Sequence, residues 1–244
     1  MCTVSFYSQA GKVIITSNRD ENVLRPSAKM PEKTTLGQRN YYFPVDAQGG
    51  GSWFCVDGAG NTMVLLNGAE TKHTPEPPYR KSRGLILLDL MQKNDKKLGW
   101  SAIDLSNIEP FTVVAFTEQK LFQLRWNGQS KSMLQLDESK PHIWSSATLY
   151  PKEIVALREN WFASFLKRHE NHLNETDLID FHTSTEKNDA QNGLTINRNN
   201  QMMTKNITQC TIDKGHFKLV HFDFLENLKS EHFVEIIPHE TLDS

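Results

Sequence analysis

Hydrophobic and polar residues alternate with a period of two over several short segments of the chain, which is typical of strands with one buried face. Two such segments, 3–8 and 12–17, flank Gln9-Ala10-Gly11-Lys12 and predict a hairpin. A second hairpin is predicted where 52–57 and 62–67 flank a Gly-Ala-Gly-Asn turn. The stretch between them, up to Gln48, carries three prolines and predicts an irregular arm.

Two segments have the pattern of helices. From Ser82 the chain is apolar nearly all round, and from Lys152 to Arg168 apolar residues recur at helical spacing after Pro151. Further strands are predicted at 111–117, 120–126, 131–136, 143–149, 202–212 and 216–224. Because hairpin-length connections join most neighbouring strands, we expect largely antiparallel sheets and an α+β fold, a four-layer αββα sandwich. No linker interrupts the pattern, so we expect one domain over residues 1–244.

Composition excludes several classes of function. The 27 basic and 29 acidic residues are interspersed and give a net charge of −2, which argues against nucleic acid as a partner. No apolar run approaches the roughly 20 residues of a membrane span, and no secretory signal pattern is present, so we expect a cytoplasmic protein without stable membrane insertion. The three cysteines are far apart, which predicts free thiols and no metal site. A small molecule or a protein is the expected partner, and a homo-oligomer is left open.

The first hairpin places a cysteine in a polar environment. If Ala10 and Gly11 form a two-residue turn, cross-strand partners sum to 21, so Cys2 lies opposite Arg19 and is flanked by Asn18 and Asp20. Removal of Met1 would leave an α-amino group, with an unperturbed pKa of about 7.7–8.0, able to accept the proton of a thiol whose unperturbed pKa is about 8.5.

In this reading Arg19 stabilises the thiolate and Asp20 orients the ammonium group. The alternative is structural: most free cysteines behave as small hydrophobic residues, and a charged hairpin end such as Arg19-Asp20-Glu21 is commonly a solvated corner.

The second hairpin suggests an oxyanion site. A turn centred on Ala59 pairs Asn67 with Gly51, which places an amide beside a glycine-rich backbone that a ligand could approach. An ordinary strand end is the alternative for Asn67. Trp53 is a candidate for the pocket wall or for the core.

Three segments carry a resemblance to a known family. They are Cys2 with "NRDE" at 18–21, "GGGSWFCVDGAGNTMVLLN" at 49–67, and "SRG" at 82–84. Together they resemble the NRDE family, whose animal member is called transport and Golgi organisation protein 2. That family is in turn similar to the N-terminal-cysteine branch of the Ntn hydrolases, which includes bile salt hydrolases and penicillin V acylases. The resemblance implies an αββα sandwich.

The chain departs from those relatives at several positions. Ser17 stands where their arginine is expected, with Arg19 as a possible substitute, and Ser146 stands where an asparagine is expected. Lys205 is the candidate replacement for a late-strand arginine, and His142 is a candidate for the border of the cleft. The resemblance thus adds His142, Ser146 and Lys205 to Gly51 and Trp53 in the substrate-binding set, while Arg19 stays with Cys2, Asn18, Asp20 and Asn67 in the catalytic set.

The resemblance implies hydrolysis of, or acyl transfer from, a non-peptide amide or thioester of a small molecule, through attack by Cys2 and without a cofactor. The alternative that it implies is a non-catalytic carrier of haem, lipid or acyl-CoA that uses the same cleft for trafficking of a hydrophobic ligand.

Overall fold

The computed structural model describes residues 3–170 and 172–237, so Met1 and Cys2 lie outside the described residues. Within them the chain forms fourteen strands and four helices. The strands are β1 (Thr3–Gln9), β2 (Lys12–Asn22), β3 (Lys29–Leu36), β4 (Arg39–Val45), β5 (Phe54–Asp57), β6 (Thr62–Asn67), β7 (Phe111–Thr117), β8 (Lys120–Trp126), β9 (Lys131–Leu136), β10 (His142–Ser145), β11 (Asn197–Arg198), β12 (Met202–Asp213), β13 (His216–Asp223) and β14 (Leu228–Glu235). The helices are α1 (Arg83–Met91), α2 (Lys96–Ala102), α3 (Lys152–Arg168) and α4 (Glu175–Ser184).

The strands form two antiparallel sheets. The first sheet has the order β10-β1-β2-β12-β13-β14, with β11 paired to β12, and the second runs from β3 to β9 in chain order. Apolar side chains fill the space between the sheets, a second core joins the outer face of the second sheet to α1 and α2, and a third joins the first sheet to α3 and α4. The predicted αββα sandwich is therefore confirmed.

Both predicted hairpins form in the expected register. Partners in β1 and β2 run from Thr3 with Asn18 to Gln9 with Lys12, so every pair sums to 21. Ala10 and Gly11 occupy the turn with positive φ angles of 50° and 83°, the geometry of a two-residue turn that matches strand twist. In the second hairpin Phe54 pairs with Val64. Helix α3 also has the predicted ends.

The predicted irregular arm is wrong, because β3 and β4 form a third hairpin there. Two prolines are accommodated by position. Pro31 lies at an irregularity of register between Lys29 and Glu32 on an edge strand, and Pro44 is the penultimate residue of β4. Neither position requires an N–H in the ladder, which is where strands tolerate proline.

Besides β3 and β4, the sequence prediction lacks two helices and the strands β11 and β14. Helix α2 has only seven residues, too few for a periodic pattern. Helix α4 begins with a capping box between Asn174 and Asp177, a signal that the sequence does contain. Strand β14 is exposed at alternate positions and has little apolar content. None of the described helices is both long and apolar enough to span a membrane.

Candidate active site

A cavity of about 360 Å³ opens at one end of the sandwich, where β2, the segment before β5, the end of β6 and the start of α1 meet. Four of the residues predicted from the sequence line it: Arg19, Gly51, Trp53 and Asn67. They come from both predicted hairpins, so the fold brings together the two candidate sites that the sequence indicates separately.

Arg19 is the most deeply buried charged group in the cavity wall, with 2% of its side chain exposed. Its guanidinium carbon lies 4.4 Å from the centre of the Trp53 ring, a cation–π contact. Nη2 donates a 2.6 Å hydrogen bond to Asp46 Oδ2, while Nη1 has no partner among the described residues. Arg19 therefore presents a buried donor group, Nη1, that no described residue engages.

Asp46 organises the charged rim of the cavity. Arg25 contacts it in a bidentate manner, with Nε and Nη2 at 2.8 and 2.9 Å from the two carboxylate oxygens, and the amide of Gly49 donates at 2.6 Å. Burial opposes ionisation of Asp46, but the hydrogen bonds from Arg25 and Gly49 and the charge of Arg19 outweigh it and lower the pKa of the carboxyl. Sequence reasoning missed this cluster, because its members come from segments that look unrelated.

The described part of β1 starts beside Arg19. Thr3 pairs with Asn18, the residue that precedes Arg19. Val4 and Phe6 lie in the core between the sheets, the side on which Arg19 meets Trp53. The predicted nucleophile Cys2 lies outside the described residues, and its position opposite Arg19 stays a prediction.

Asn18 and Asp20 lie on the other face of the first sheet, because side chains alternate along β2. Asn18 Nδ2 donates to the carbonyls of His182 and Leu194, and its Oδ1 is 2.8 Å from His182 Nδ1. Asp20 accepts hydrogen bonds from Tyr150 and Thr204. Neither side chain lines the cavity.

These bonds belong to a polar network that fixes β1 and β2 to the helices. Arg158 is fully buried and donates from Nη1 to Thr3 Oγ1 at 2.6 Å, with its guanidinium 3.6 Å from the centre of the Tyr150 ring. His182 Nε2 lies 2.7 Å from Ser5 Oγ. Burial, and then the charge of Arg158, lower the pKa of His182 to about 3, so this imidazole is neutral at pH 7. The network holds the amino-terminal strand in place from its helical side.

Gly51 and Asn67 both face the cavity, as the second hairpin predicts. A Cβ at Gly51 would lie 2.3 Å from the carbonyl carbon of Gly84, so only glycine permits this approach of the chain to α1. The hydroxyl of Ser146 donates to the backbone carbonyl of Asn67 at 2.8 Å. Ser146 therefore supports the strand end that carries Asn67.

His142 and Lys205 do not line the cavity. His142 stacks on Trp144, and its Nε2 lies 2.8 Å from the carbonyl of Asp137. The ammonium of Lys205 donates to the carbonyls of Val23 and Arg25. Both side chains thus bond to other parts of the chain, and Lys205 does so next to Arg25, a residue of the cavity wall.

The first turn of α1 contributes the remaining wall. Ser82 is its N-cap and accepts from the amide of Leu85, while Arg83 Nη2 forms a 3.0 Å ion pair with Glu109. The sequence indicates this segment only through the "SRG" motif, without a role for it. Among the residues that the structure describes, no group of three or more potential metal ligands occurs.

Comparison with solved structures shows what this arrangement resembles. The Caenorhabditis elegans ortholog of N-acylethanolamine-hydrolyzing acid amidase superimposes with a TM-score of 0.62 at 11% identity, over 85% of this chain and 92% of that one. A C2A variant of conjugated bile acid hydrolase from Clostridium perfringens gives a TM-score of 0.55 at 9% identity, over 99% and 100% of the two chains. Both are Ntn hydrolases, and at these identities the likeness establishes the fold alone.

Sequence comparison identifies the family. Among curated proteins none matches the chain in sequence. Residues 1–237, nearly the whole chain, match the family described as Transport and Golgi organisation 2 (TANGO2). This agrees with the resemblance carried by the "NRDE" and "SRG" segments. The chain belongs to the Transport and Golgi organisation 2 family.

Proposed function

We propose that the chain is an N-terminal-cysteine amidohydrolase or acyltransferase that acts on a non-peptide amide or thioester of a small molecule. The observation that carries this proposal is the register of β1 and β2, which ends at Thr3 beside a buried arginine in a cavity wall. If the register continues by one residue, the thiol of Cys2 lies opposite Arg19. The amidase and the bile acid hydrolase with a similar fold support the same class of reaction.

In this proposal the residues have distinct roles. The free α-amino group of Cys2 accepts the thiol proton, and the thiolate attacks the substrate carbonyl to give a tetrahedral intermediate. Arg19 lowers the pKa of the thiol, and the amide of Asn67 stabilises the oxyanion. Collapse of the intermediate breaks the C–N or C–S bond, and the leaving group takes up a proton. Water or an acceptor then releases the acyl group from the thioester.

Asn18 and Asp20 act as positioning residues in this scheme, because their side chains bond to the helical layer and not to the cavity wall. Arg158 has the same role through its bond to Thr3. All three fix the strand that carries the nucleophile.

A panel of substrates tests the proposal. An N-acylethanolamine, a conjugated bile acid and a long-chain acyl-CoA are incubated with protein whose loss of Met1 has been verified by intact mass. A burst of leaving group equal to the enzyme concentration, with an acyl adduct on Cys2, is the expected result. Cys210→Ala, at a buried core thiol, should retain the burst, whereas Cys2→Ala should abolish it. No burst with any member of the panel contradicts the proposal.

The second candidate is a non-catalytic carrier that uses the same cavity for a hydrophobic ligand. It is favoured by Ser146, whose hydroxyl is engaged with Asn67 and Thr148, and by Lys205, whose ammonium binds backbone carbonyls. Both are positions where the hydrolase relatives are expected to carry catalytic side chains. Among the described lining residues only Tyr79 is of a type that ligates haem iron, which makes a lipid or an acyl-CoA the better cargo.

A variant with one residue added before Cys2 distinguishes the hydrolase from the carrier. One alanine inserted between Met1 and Cys2 retains the thiol but converts its α-amino group into a peptide amide, which cannot act as a base. A hydrolase should lose turnover of its substrate by several orders of magnitude, whereas a carrier should bind its ligand as before.

A further inference from the structure

The inner face of the first sheet changes from apolar to polar towards the cavity. The inward-facing side chains of three neighbouring strands, β2, β12 and β13, become polar in the same direction. The register sets these side chains side by side in rows across the sheet. The successive rows are Ile15, Cys210 and Leu219, then Ser17, Thr208 and His221, then Arg19, Asn206 and Asp223. Residues of the two polar rows are at most 3% exposed, so this end of the sandwich interior is a buried polar surface.

Several atoms on this surface lack a hydrogen-bond partner among the described residues. They are Arg19 Nη1, both amide atoms of Asn206, His221 Nε2, Ser230 Oγ and, from the facing sheet, Trp53 Nε1. These residues adjoin one another: Asn206 is the register partner of Arg19, Trp53 stacks on Arg19, the rings of Trp53 and His221 lie 6.2 Å apart, and Ser230 is the register partner of His221. Unpaired buried polar groups are rare in folded proteins, and a cluster of them needs a reason.

The charges around the cluster favour a neutral ligand. The charge of Arg19 is already neutralised, because its Nη2 lies 2.6 Å from a carboxylate oxygen of Asp46. A second carboxylate, that of Glu21, lies 3.6 Å from the same Nη2. Burial, and then the charge of Arg19, lower the pKa of His221 to about 4, so its ring is neutral at pH 7. An added carboxylate or phosphate at this cluster would therefore be buried beside Asp46 and Glu21, with an arginine that is already paired.

The unpaired atoms specify the chemistry of such a ligand. Arg19, Trp53 and Asn206 each offer an N–H, while Asn206 Oδ1 offers an acceptor. A carboxamide has a carbonyl oxygen for the first set and an N–H for the second. We propose that Arg19 and Trp53 in the cavity wall, with Asn206 and His221 directly behind them, form a subsite that opens to bind a neutral carboxamide group of the ligand, beyond the bond that is cleaved. This rests on the proposed function insofar as the ligand enters by the same cavity.

Stability provides the first test. An unpaired buried amide destabilises the free protein, so Asn206→Leu, which replaces it with an apolar group of similar size, should melt at or above the temperature of the parent protein. Asn18→Leu is the matched control: it is equally buried on the neighbouring strand but makes three hydrogen bonds, and it should melt several degrees lower. If Asn206→Leu loses as much as Asn18→Leu, ordered water already satisfies Asn206 and the subsite is refuted.

Affinity labels provide the second test. Three bromoacetamides share one reactive group and differ at the far end: N-(bromoacetyl)glycinamide ends in a carboxamide, N-(bromoacetyl)glycine in a carboxylate, and N-isobutylbromoacetamide in an apolar group. Each alkylates Cys2 with loss of bromide, and mass spectrometry of the amino-terminal peptide gives the rate. Relative to a free cysteine peptide, the carboxamide should be favoured by roughly tenfold, about the value of one hydrogen bond in a buried site.

Asn206→Leu, or His221→Phe if the first variant does not fold, should abolish this preference. A wild-type protein that favours the carboxylate label refutes the ligand class, and one that shows no preference refutes the subsite. The labels do not depend on turnover: a carboxamide preference without hydrolysis of any substrate refutes only the proposed function, whereas hydrolysis without the preference refutes only the subsite.

Discussion

The close approach of Gly51 to α1 makes a quantitative prediction. A Cβ added at Gly51 would lie 2.3 Å from the carbonyl carbon of Gly84 and 2.4 Å from the amide nitrogen of Leu85. Ordinary contact begins at 3.4 Å, so the two backbones would have to separate by more than 1 Å. Both obstructing atoms belong to the main chain of a helix, which cannot rotate out of the way as a side chain could.

The cost follows from that separation. Overpacking a buried site costs about 1–3 kcal/mol, and a clash with backbone belongs at the upper end of this range. For a chain of this size 1 kcal/mol lowers the melting temperature by about 2–4 °C, so Gly51→Ala should melt roughly 6–12 °C below the parent protein. The bond from the Ser52 amide to the Gly84 carbonyl, 3.2 Å long, should break first.

Circular dichroism or dye-based thermal melts measure this difference. Gly58→Ala is the matched control, because a Cβ there would meet nothing closer than the Asn40 carbonyl at 3.7 Å. Gly84→Ala, with its nearest contact at 2.8 Å, should fall between the two. Equal melting temperatures for Gly51→Ala and Gly58→Ala would refute the reasoning, since they would show that α1 can move away from the cavity wall at no cost.

Three further predictions concern buried polar and thiol groups. Arg158→Leu removes four hydrogen bonds, one to the hydroxyl of Thr3 and three to the carbonyls of Asn192 and Gly193, and should cost roughly 3–5 kcal/mol in urea unfolding, with Arg158→Lys intermediate. Burial lowers the pKa of His182 to about 3, so between pH 3 and about 6.5 only the unfolded chain binds a proton at this residue. The free energy of unfolding should therefore fall by up to about 1.4 kcal/mol per pH unit on acidification below pH 6.5. His182→Gln should flatten this slope. Burial raises the pKa of Cys55 well above its ordinary value and that of Cys210 to about 12, so a disulfide reagent should titrate one thiol in the native protein and three in urea; any reactive thiol in native Cys2→Ala contradicts the burial.

Local rules were sufficient for the two hairpins. The turn at Ala10 and Gly11 fixes the register of β1 and β2 without reference to the rest of the chain, and the turn after Asp57 does the same for β5 and β6. The register of a hairpin depends on residues that are close in sequence, so the sequence alone predicts that Arg19 and Asn67 belong to the site.

Contacts between distant segments could not be inferred in this way. Asp46 joins Arg19 to Arg25 only because the predicted irregular arm is a hairpin that returns to β2. The prolines of that arm suggested the opposite, since their tolerance depends on an edge position that only the assembled sheet defines.

A single bulge in β12 brings Asn206, which the sequence pattern does not single out, to the inner face of the sheet. The register of β12 against β2 shifts between Thr204 and Asn206. Thr204 and Asn206 are two positions apart, so in a regular strand their side chains would lie on the same face of the sheet. With the shift, Thr204 bonds to Asp20 on the helical side, whereas Asn206 lies on the inner side with Arg19. The charge of Lys205 indicates a substitute for arginine, whereas the sequence carries no such signal for its uncharged neighbour, which the bulge turns inwards.

The two halves of the inner face have opposite effects on stability. Rows such as Ile15, Cys210 and Leu219 contribute to the core between the sheets, whereas the row of Arg19 and Asn206 buries polar atoms that no described residue satisfies. Unpaired atoms scattered through a core would weaken the fold without benefit, but here they adjoin one another, in and behind one cavity wall, next to the first described residue of β1. A place where unpaired buried atoms lie side by side, at a cost in stability, is what a ligand site requires. This concentration of unpaired groups therefore supports a functional cavity whether the chain cleaves its ligand or carries it.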